Sequence, residues 1–133
     1  LKPLIDRELP TLTSRKDTWI AGSSMGGLMA LYTITAHNDT FSKAACLSPY
    51  LFPVRKDMER ECRRPIDPDT RVYLSWGSSE TRSLSWISKT NLEMANLLNA
   101  AGARVHLNLV LGGTHCEACW EKEIPVFLRF FLA

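Results

Sequence analysis

The stretch Thr18-Trp19-Ile20-Ala21-Gly22-Ser23-Ser24-Met25-Gly26-Gly27-Leu28 decides the fold of this chain. Residues 18–21 read as a short apolar strand. Residues 25–37 read as a helix that is apolar nearly all round and so packs against a sheet. Between them, Gly22-Ser23-Ser24-Met25-Gly26 is a Gly-x-Ser-x-Gly match placed where a strand turns sharply into a helix. Small flanking residues let strand and helix approach, and Gly22, Gly26 and Gly27 are expected to supply that space. Ser24 then sits at the apex of a strained turn, with Ser23 pointing away. The helix start offers free N–H groups and the positive end of its dipole to a developing oxyanion, and the Met25 N–H would be one donor. The structural alternative is a glycine-rich turn that binds a phosphate or nothing. No Gly-Lys-Ser/Thr follows, which excludes a P-loop, and the dinucleotide pattern does not fit.

Outward from this turn the same rhythm repeats. Three further apolar runs, 43–48, 71–76 and 104–111, read as strands. Residues 88–101 read as a helix closed by Gly102, and 117–131 as another, with Trp120, Ile124, Phe127 and Phe131 at helical spacing. Pro125 must start or kink that last helix, and 4–9 reads as the end of one before the first strand. Strand then helix, repeated, predicts an α/β fold: a mostly parallel sheet flanked by helices and joined by right-handed crossovers. The first three strands are apolar enough to be covered on both faces. The fourth alternates Val105, Leu107, Leu109 with Arg104, His106, Asn108, which suits a sheet margin with one wetter face. Residues 56–68 are charged, carry Pro65 and lack clear periodicity, and are expected to form an excursion above the sheet. No repeat or linker divides the chain, so residues 1–133 read as one domain.

A serine nucleophile needs a general base, and there are three histidines. His37 falls near a helix C-terminus and reads as structural; His106 lies on the polar face of the last strand. His115 follows that strand in Gly112-Gly113-Thr114-His115, at the carboxyl end where parallel sheets build their sites. The acid is expected after the third strand, where Gly77-Ser78-Ser79-Glu80 offers Glu80 to hold the imidazole in the correct tautomer. Asp67 and Asp69 precede that strand and belong to the wrong end. Asp57 stays open as an alternative, and Glu117 reads as charge in a first helical turn. The chain order serine, acid, histidine is the one that α/β-hydrolases use. Residues 50–68 follow the second strand at the same end, so Tyr50, Leu51 and Phe52 are candidate walls of a substrate pocket, with a core role the equal alternative.

Bulk properties narrow the classes. The chain has 133 residues, a formal net charge of +2, and no basic run interleaved with aromatics, so nucleic-acid binding has no footprint. No apolar stretch is long enough to cross a bilayer. Four cysteines, Cys46, Cys62, Cys116 and Cys119, are too few for a disulfide-built domain, and a reduced, cytoplasmic protein is expected. Cys116-Glu117-Ala118-Cys119 beside His115 could suggest zinc or redox chemistry, but no second paired spacing exists, and Cys46 lies inside an apolar strand. No metal is expected there. The two cysteines are placed at the partly buried start of the last helix or facing the core. Leu1-Lys2-Pro3-Leu4-Ile5 carries neither an initiator Met nor a signal peptide and reads as the middle of a domain.

Taken together these residues resemble the putative-esterase branch of the α/β-hydrolases, the group containing enterochelin esterases, esterase D and feruloyl esterases. The resemblance runs through residues 20–32, through Phe41-Ser42-Lys43-Ala44-Ala45-Cys46-Leu47-Ser48-Pro49, and through Tyr73-Leu74-Ser75-Trp76-Gly77 with Glu80. It ends in Gly112-Gly113-Thr114-His115-Cys116-Glu117 with Trp120-Glu121-Lys122. It implies hydrolysis of a small-molecule carboxylic ester through an acyl-enzyme, with Ser24 as nucleophile, His115 as base and Glu80 as acid, and without a cofactor. Relatives place either Asp or Glu at the acid. Members of the family have several strands before the nucleophile strand, so the resemblance implies a partial α/β-hydrolase fold, its carboxyl-terminal half. The second oxyanion donor would then come from a missing amino-terminal segment or a homo-oligomer partner. The first strand would be an exposed sheet edge. A non-catalytic fragment or interaction module that keeps the motif is the alternative of a different class.

Overall fold

Runs of small and apolar side chains allow Lys43–Leu47 and Arg71–Gly77 to be covered on both faces, and they form the two inner strands of a sheet. The computed structural model describes residues 1–80 and 83–133. Its strands are β1 (Trp19–Ser23), β2 (Lys43–Leu47), β3 (Arg71–Gly77) and β4 (Arg104–Val110), in the spatial order β1-β2-β3-β4. Every neighbouring pair is parallel. Ser23 pairs with Leu47, Leu47 with Ser75, and Gly77 with Val110, so the loops after all four strands rise on one margin.

Among the described residues six α-helices accompany the sheet: α1 (Lys2–Glu8), α2 (Met25–Ala36), α3 (Arg55–Glu61), α4 (Leu84–Ala101), α5 (Glu117–Trp120) and α6 (Ile124–Leu132). Successive side chains of a strand point to opposite faces. Ala44, Cys46, Val72 and Leu74 therefore join Leu31, Ile34, Met94 and Leu98 in one core. Ala45, Leu47 and Tyr73 join Trp120, Phe127 and Phe131 in the other. A parallel sheet with a helical layer on each face is the α/β class expected from the strand–helix rhythm.

The departures from expectation have physical causes. β1 is half-buried, with Ala21 exposed, because among the described residues it pairs with β2 alone. The helix read as apolar all round buries Leu28, Ala30, Leu31 and Ile34 and leaves Met25, Met29 and Tyr32 exposed, so only one of its faces is covered. The charged excursion contains α3, of which Met58 alone is buried; Met58, Cys62 and Ile66 tie it to the core of α2 and α4. One apolar residue in a seven-residue helix leaves no readable period. α4 starts at Leu84 rather than Ser88, since Trp86 packs on Phe52 and Ser88 accepts the Trp76 indole N–H. It ends as expected at left-handed Gly102, φ 118°. The last helical stretch is broken into α5, a 3₁₀ turn at Glu121–Glu123, and α6, whose first turn holds Pro125. Ile124 consequently lies exposed while Trp120, Phe127 and Phe131 are buried. Among the described residues no helix is long and apolar enough to cross a membrane.

Candidate active site

The turn after β1 is tight for a measurable reason. A Cβ on Gly22 would lie 2.3 Å from the Gly26 carbonyl oxygen, and one on Gly27 would lie 2.7 Å from that of Leu47. At Gly26 itself a Cβ would meet nothing within 4 Å, so Gly22 and Gly27, and not Gly26, supply the close approach. Ser24 adopts φ 55° and ψ −118°, a conformation that costs a side-chain-bearing residue of order 1–3 kcal/mol. It is anchored on both sides: its N–H donates to the Leu47 carbonyl at 2.9 Å, and its carbonyl accepts the Tyr50 N–H at 3.1 Å. Met25 is the first residue of α2, so its N–H lies outside the helix's own ladder of hydrogen bonds.

Two loops bring partners to Ser24. The loop after β4 places His115 Nε2 2.8 Å from Ser24 Oγ. The loop after β3 places Glu80 Oε2 3.1 Å from His115 Nδ1. The carboxylate on Nδ1 selects the tautomer that carries its proton there, which leaves Nε2 to accept from the Ser24 hydroxyl. The Glu80 side chain is only 4% exposed, whereas that of His115 is 41% exposed. Glu80 Oε1 accepts the Gly77 N–H and the Ser48 hydroxyl. The two loops pack so closely that a Cβ on Gly77 would lie 2.2 Å from the Gly113 carbonyl oxygen.

The other candidates stand elsewhere. His37 ends α2 beside Tyr32, and His106 is exposed and stacked on Tyr73 at 5.4 Å. Asp57 pairs with Arg60 on α3, Asp69 pairs with Arg15, and Glu117 opens α5. Cys46 and Cys62 are buried in the core, where burial pushes the Cys62 thiol up to about 12. Cys116 and Cys119 are half-buried at the start of α5, their sulfurs 3.3 and 3.4 Å from Thr114 Oγ1. The Thr114 hydroxyl, and next its N–H, hold the Cys119 thiol below the ordinary range.

A cleft of about 540 Å³ reaches Glu80 and His115 and is lined by Tyr50, Leu51, Phe52, Trp86 and Ile87. All three candidate wall residues border it, and Leu51 is at the same time part of the core. Two side chains of the site went unread in the sequence. Ser48, buried at φ 45°, donates to Glu80, and Trp120 donates to Ser48 at 2.9 Å while its ring meets His115 edge-on. The available signal was positional: Ser48 leaves β2 where Ser24 leaves β1.

A parallel α/β sheet whose first strand turns through a strained serine into a helix defines the α/β-hydrolase type of fold. The chain belongs to the family described as "Putative esterase", which it matches over residues 1–131. In structure it is similar to a ferulic acid esterase, with TM-score 0.70, 18% identity, and coverage of 97% of this chain and 56% of that one. It is similar to the enterobactin esterase FES from Shigella flexneri, with TM-score 0.77, 22% identity, and coverage of 97% of this chain and 35% of that one. For the S-formylglutathione hydrolase FrmB from Staphylococcus aureus the values are 0.71 and 16%, covering 98% and 57%. The chain thus spans less than two thirds of each of these proteins, and at these identities the likeness shows the fold. No curated protein matches the chain significantly in sequence.

Proposed function

We propose that this chain carries the reacting groups of a serine hydrolase that cleaves carboxylic esters. The observation that carries the reading is the unbroken hydrogen-bond chain from Ser24 Oγ through His115 to Glu80, joining residues from three strand-end loops. In this reading Ser24 Oγ attacks the ester carbonyl while His115 Nε2 takes its proton. The oxyanion is met by the Met25 N–H. Collapse of the tetrahedral adduct expels the alcohol, protonated by His115, and leaves an acyl group on Ser24. Water then repeats the sequence and frees the acid. Glu80 keeps the imidazole oriented and stabilises its charged form. The cycle calls for no cofactor.

The cleft behind His115, walled by Tyr50, Leu51 and Phe52, would hold the acyl or the alcohol group of a small-molecule ester. Acylated or feruloylated sugars, siderophore lactones and thioesters all fit this chemistry. A second oxyanion donor would come from a further esterase segment or from a second copy of the chain at the β1 edge, where among the described residues only β2 pairs. Lack of one donor costs about 10²–10³ in turnover. Four unpaired cysteines agree with a cytoplasmic setting.

Reaction with a fluorophosphonate followed by peptide mapping tests the reading. The expected adduct is on Ser24. An intact chain that forms none there is not a hydrolase by this route, and the interaction-module alternative takes its place.

A further inference from the structure

Ser48 and Ser24 are the two non-glycine residues with positive φ among those described. Such backbone strain persists only where the surroundings impose it, and it clusters at functional sites. Ser48 is buried, yet the hydrolytic cycle makes no use of it.

Its hydroxyl has two partners of fixed character. The indole N–H of Trp120 can only donate, so at 2.9 Å it occupies a lone pair of Ser48 Oγ. An ionised carboxylate can only accept, so the Ser48 proton points to Glu80 Oε1. The hydrogen bonds therefore run in one direction, from Trp120 to Ser48 to Glu80. The same indole ring meets the His115 ring edge-on, with centroids 4.8 Å apart and an interplanar angle of 85°. One buried side chain of α5 touches the imidazole directly and the carboxylate through one hydroxyl.

We propose that Ser48 and Trp120 form a clasp that holds Glu80 and His115 in mutual register, both acting as positioning residues of the proposed ester hydrolysis, on which this inference rests. Glu80 Oε1 takes two donors, the Ser48 hydroxyl and the Gly77 N–H, and these turn Oε2 toward His115 Nδ1 at 3.1 Å. Loss of the hydroxyl leaves Oε1 with one donor and deprives the buried indole N–H of its acceptor. The carboxylate is then free to rotate away from the imidazole. The clasp also accounts for the strained backbone at Ser48, since the hydroxyl must stand between an indole and a carboxylate at once.

Two variants test it in the full chain. Ser48→Gly removes the hydroxyl at a position whose φ glycine adopts freely. Trp120→Phe removes the N–H donor and keeps an aromatic ring against His115. The deciding measurement is the proton resonance of the His115 Nδ1–H, which a carboxylate partner shifts far downfield and which needs no turnover to be seen. It is expected in the wild type, lost by exchange with water in Ser48→Gly, and broadened in Trp120→Phe, with the backbone amide spectrum native-like in each. The rate of Ser24 acylation by a fluorophosphonate is expected to fall about 10-fold in Ser48→Gly and about 3-fold in Trp120→Phe, the scale of losing a hydrogen bond that orients a reacting group. Absence of the resonance from the wild type, or its persistence in Ser48→Gly, overturns the clasp. If Ser48→Gly loses the native amide spectrum, Trp120→Phe decides: an unbroadened resonance there overturns the clasp. A wild-type chain that resists acylation, yet loses the resonance in Ser48→Gly, overturns the hydrolase reading and supports the clasp.

Discussion

Ser24 and Ser48 leave β1 and β2 by the same backbone route. Each has positive φ, 55° and 45°, and each sends its N–H to a carbonyl of the next strand, Leu47 at 2.9 Å and Ser75 at 2.8 Å. Beyond these two serines the chain takes different courses. α2 begins directly after Ser24, which stays half-exposed with its hydroxyl on the His115 imidazole. Pro49 comes after Ser48, and Trp120 closes over the hydroxyl, which faces a carboxylate. One kind of strained strand end thus yields a half-exposed hydroxyl on an imidazole in one place and a buried hydrogen-bond bridge in the next. Neighbours decide between these outcomes, not the local conformation.

Exchanging each serine for glycine sharpens the contrast most. Ser24→Gly is expected to lower ester hydrolysis by at least about 10³-fold, as loss of a nucleophile does. It should leave stability unchanged or raise it by about 1 kcal/mol, because relief of strain offsets one half-exposed hydrogen bond. Ser48→Gly should instead cost about 1–2 kcal/mol, since the unpaired buried indole N–H and the loss of one of the Glu80 carboxylate's donors outweigh the relieved strain. Denaturant unfolding of the two variants measures both signs, and equal shifts would break the comparison.

A smaller effect lies in what precedes each serine. Gly22 and Cys46 are register partners, two residues before Ser24 and Ser48. Only the Ser24 turn folds back closely enough to need glycine, so Gly22→Ala should destabilise by about 1–3 kcal/mol. Gly26→Ala, inside α2 with open space around its Cβ, should be neutral or stabilising by about 0.5–1 kcal/mol. A Gly26→Ala variant as damaged as Gly22→Ala would show that the turn is held differently.

The smallest effect concerns the cysteines around the two serines. The Cys119 thiol is held below its ordinary range, chiefly by the Thr114 hydroxyl, so its reactive thiolate forms at lower pH than that of an ordinary cysteine. Burial pushes the Cys46 and Cys62 thiols up and shields them. Brief iodoacetamide treatment at neutral pH should therefore mark Cys119 before either buried cysteine, as read by peptide mass spectrometry. Early labelling of Cys46, in the strand that leads to Ser48, would mean that β2 opens readily.

Much of the fold was legible because its signals are local. Apolar runs marked four strands, Gly102 marked the end of α4, and a Gly-x-Ser-x-Gly turn marked the start of α2. The positions of Glu80 and His115 followed from strand ends and chain order, and the structure brings both within hydrogen-bond distance of each other, with His115 reaching Ser24. The first turn of α4, the exposure of Ile124 and the empty space at Gly26 were not legible. Each is set by what lies across from a residue rather than by its sequence neighbours.

By itself the sequence determined the strand–helix alternation, the strained turn at Ser24 and the order in which serine, carboxylate and imidazole candidates arise. These stem from side-chain periodicity and backbone sterics within a few residues. Only the tertiary structure decided that Ser48 and Trp120, 72 residues apart, meet over Glu80 and His115. A hydrogen bond between distant residues depends on sheet register and helix packing, and no short stretch of chain contains that information.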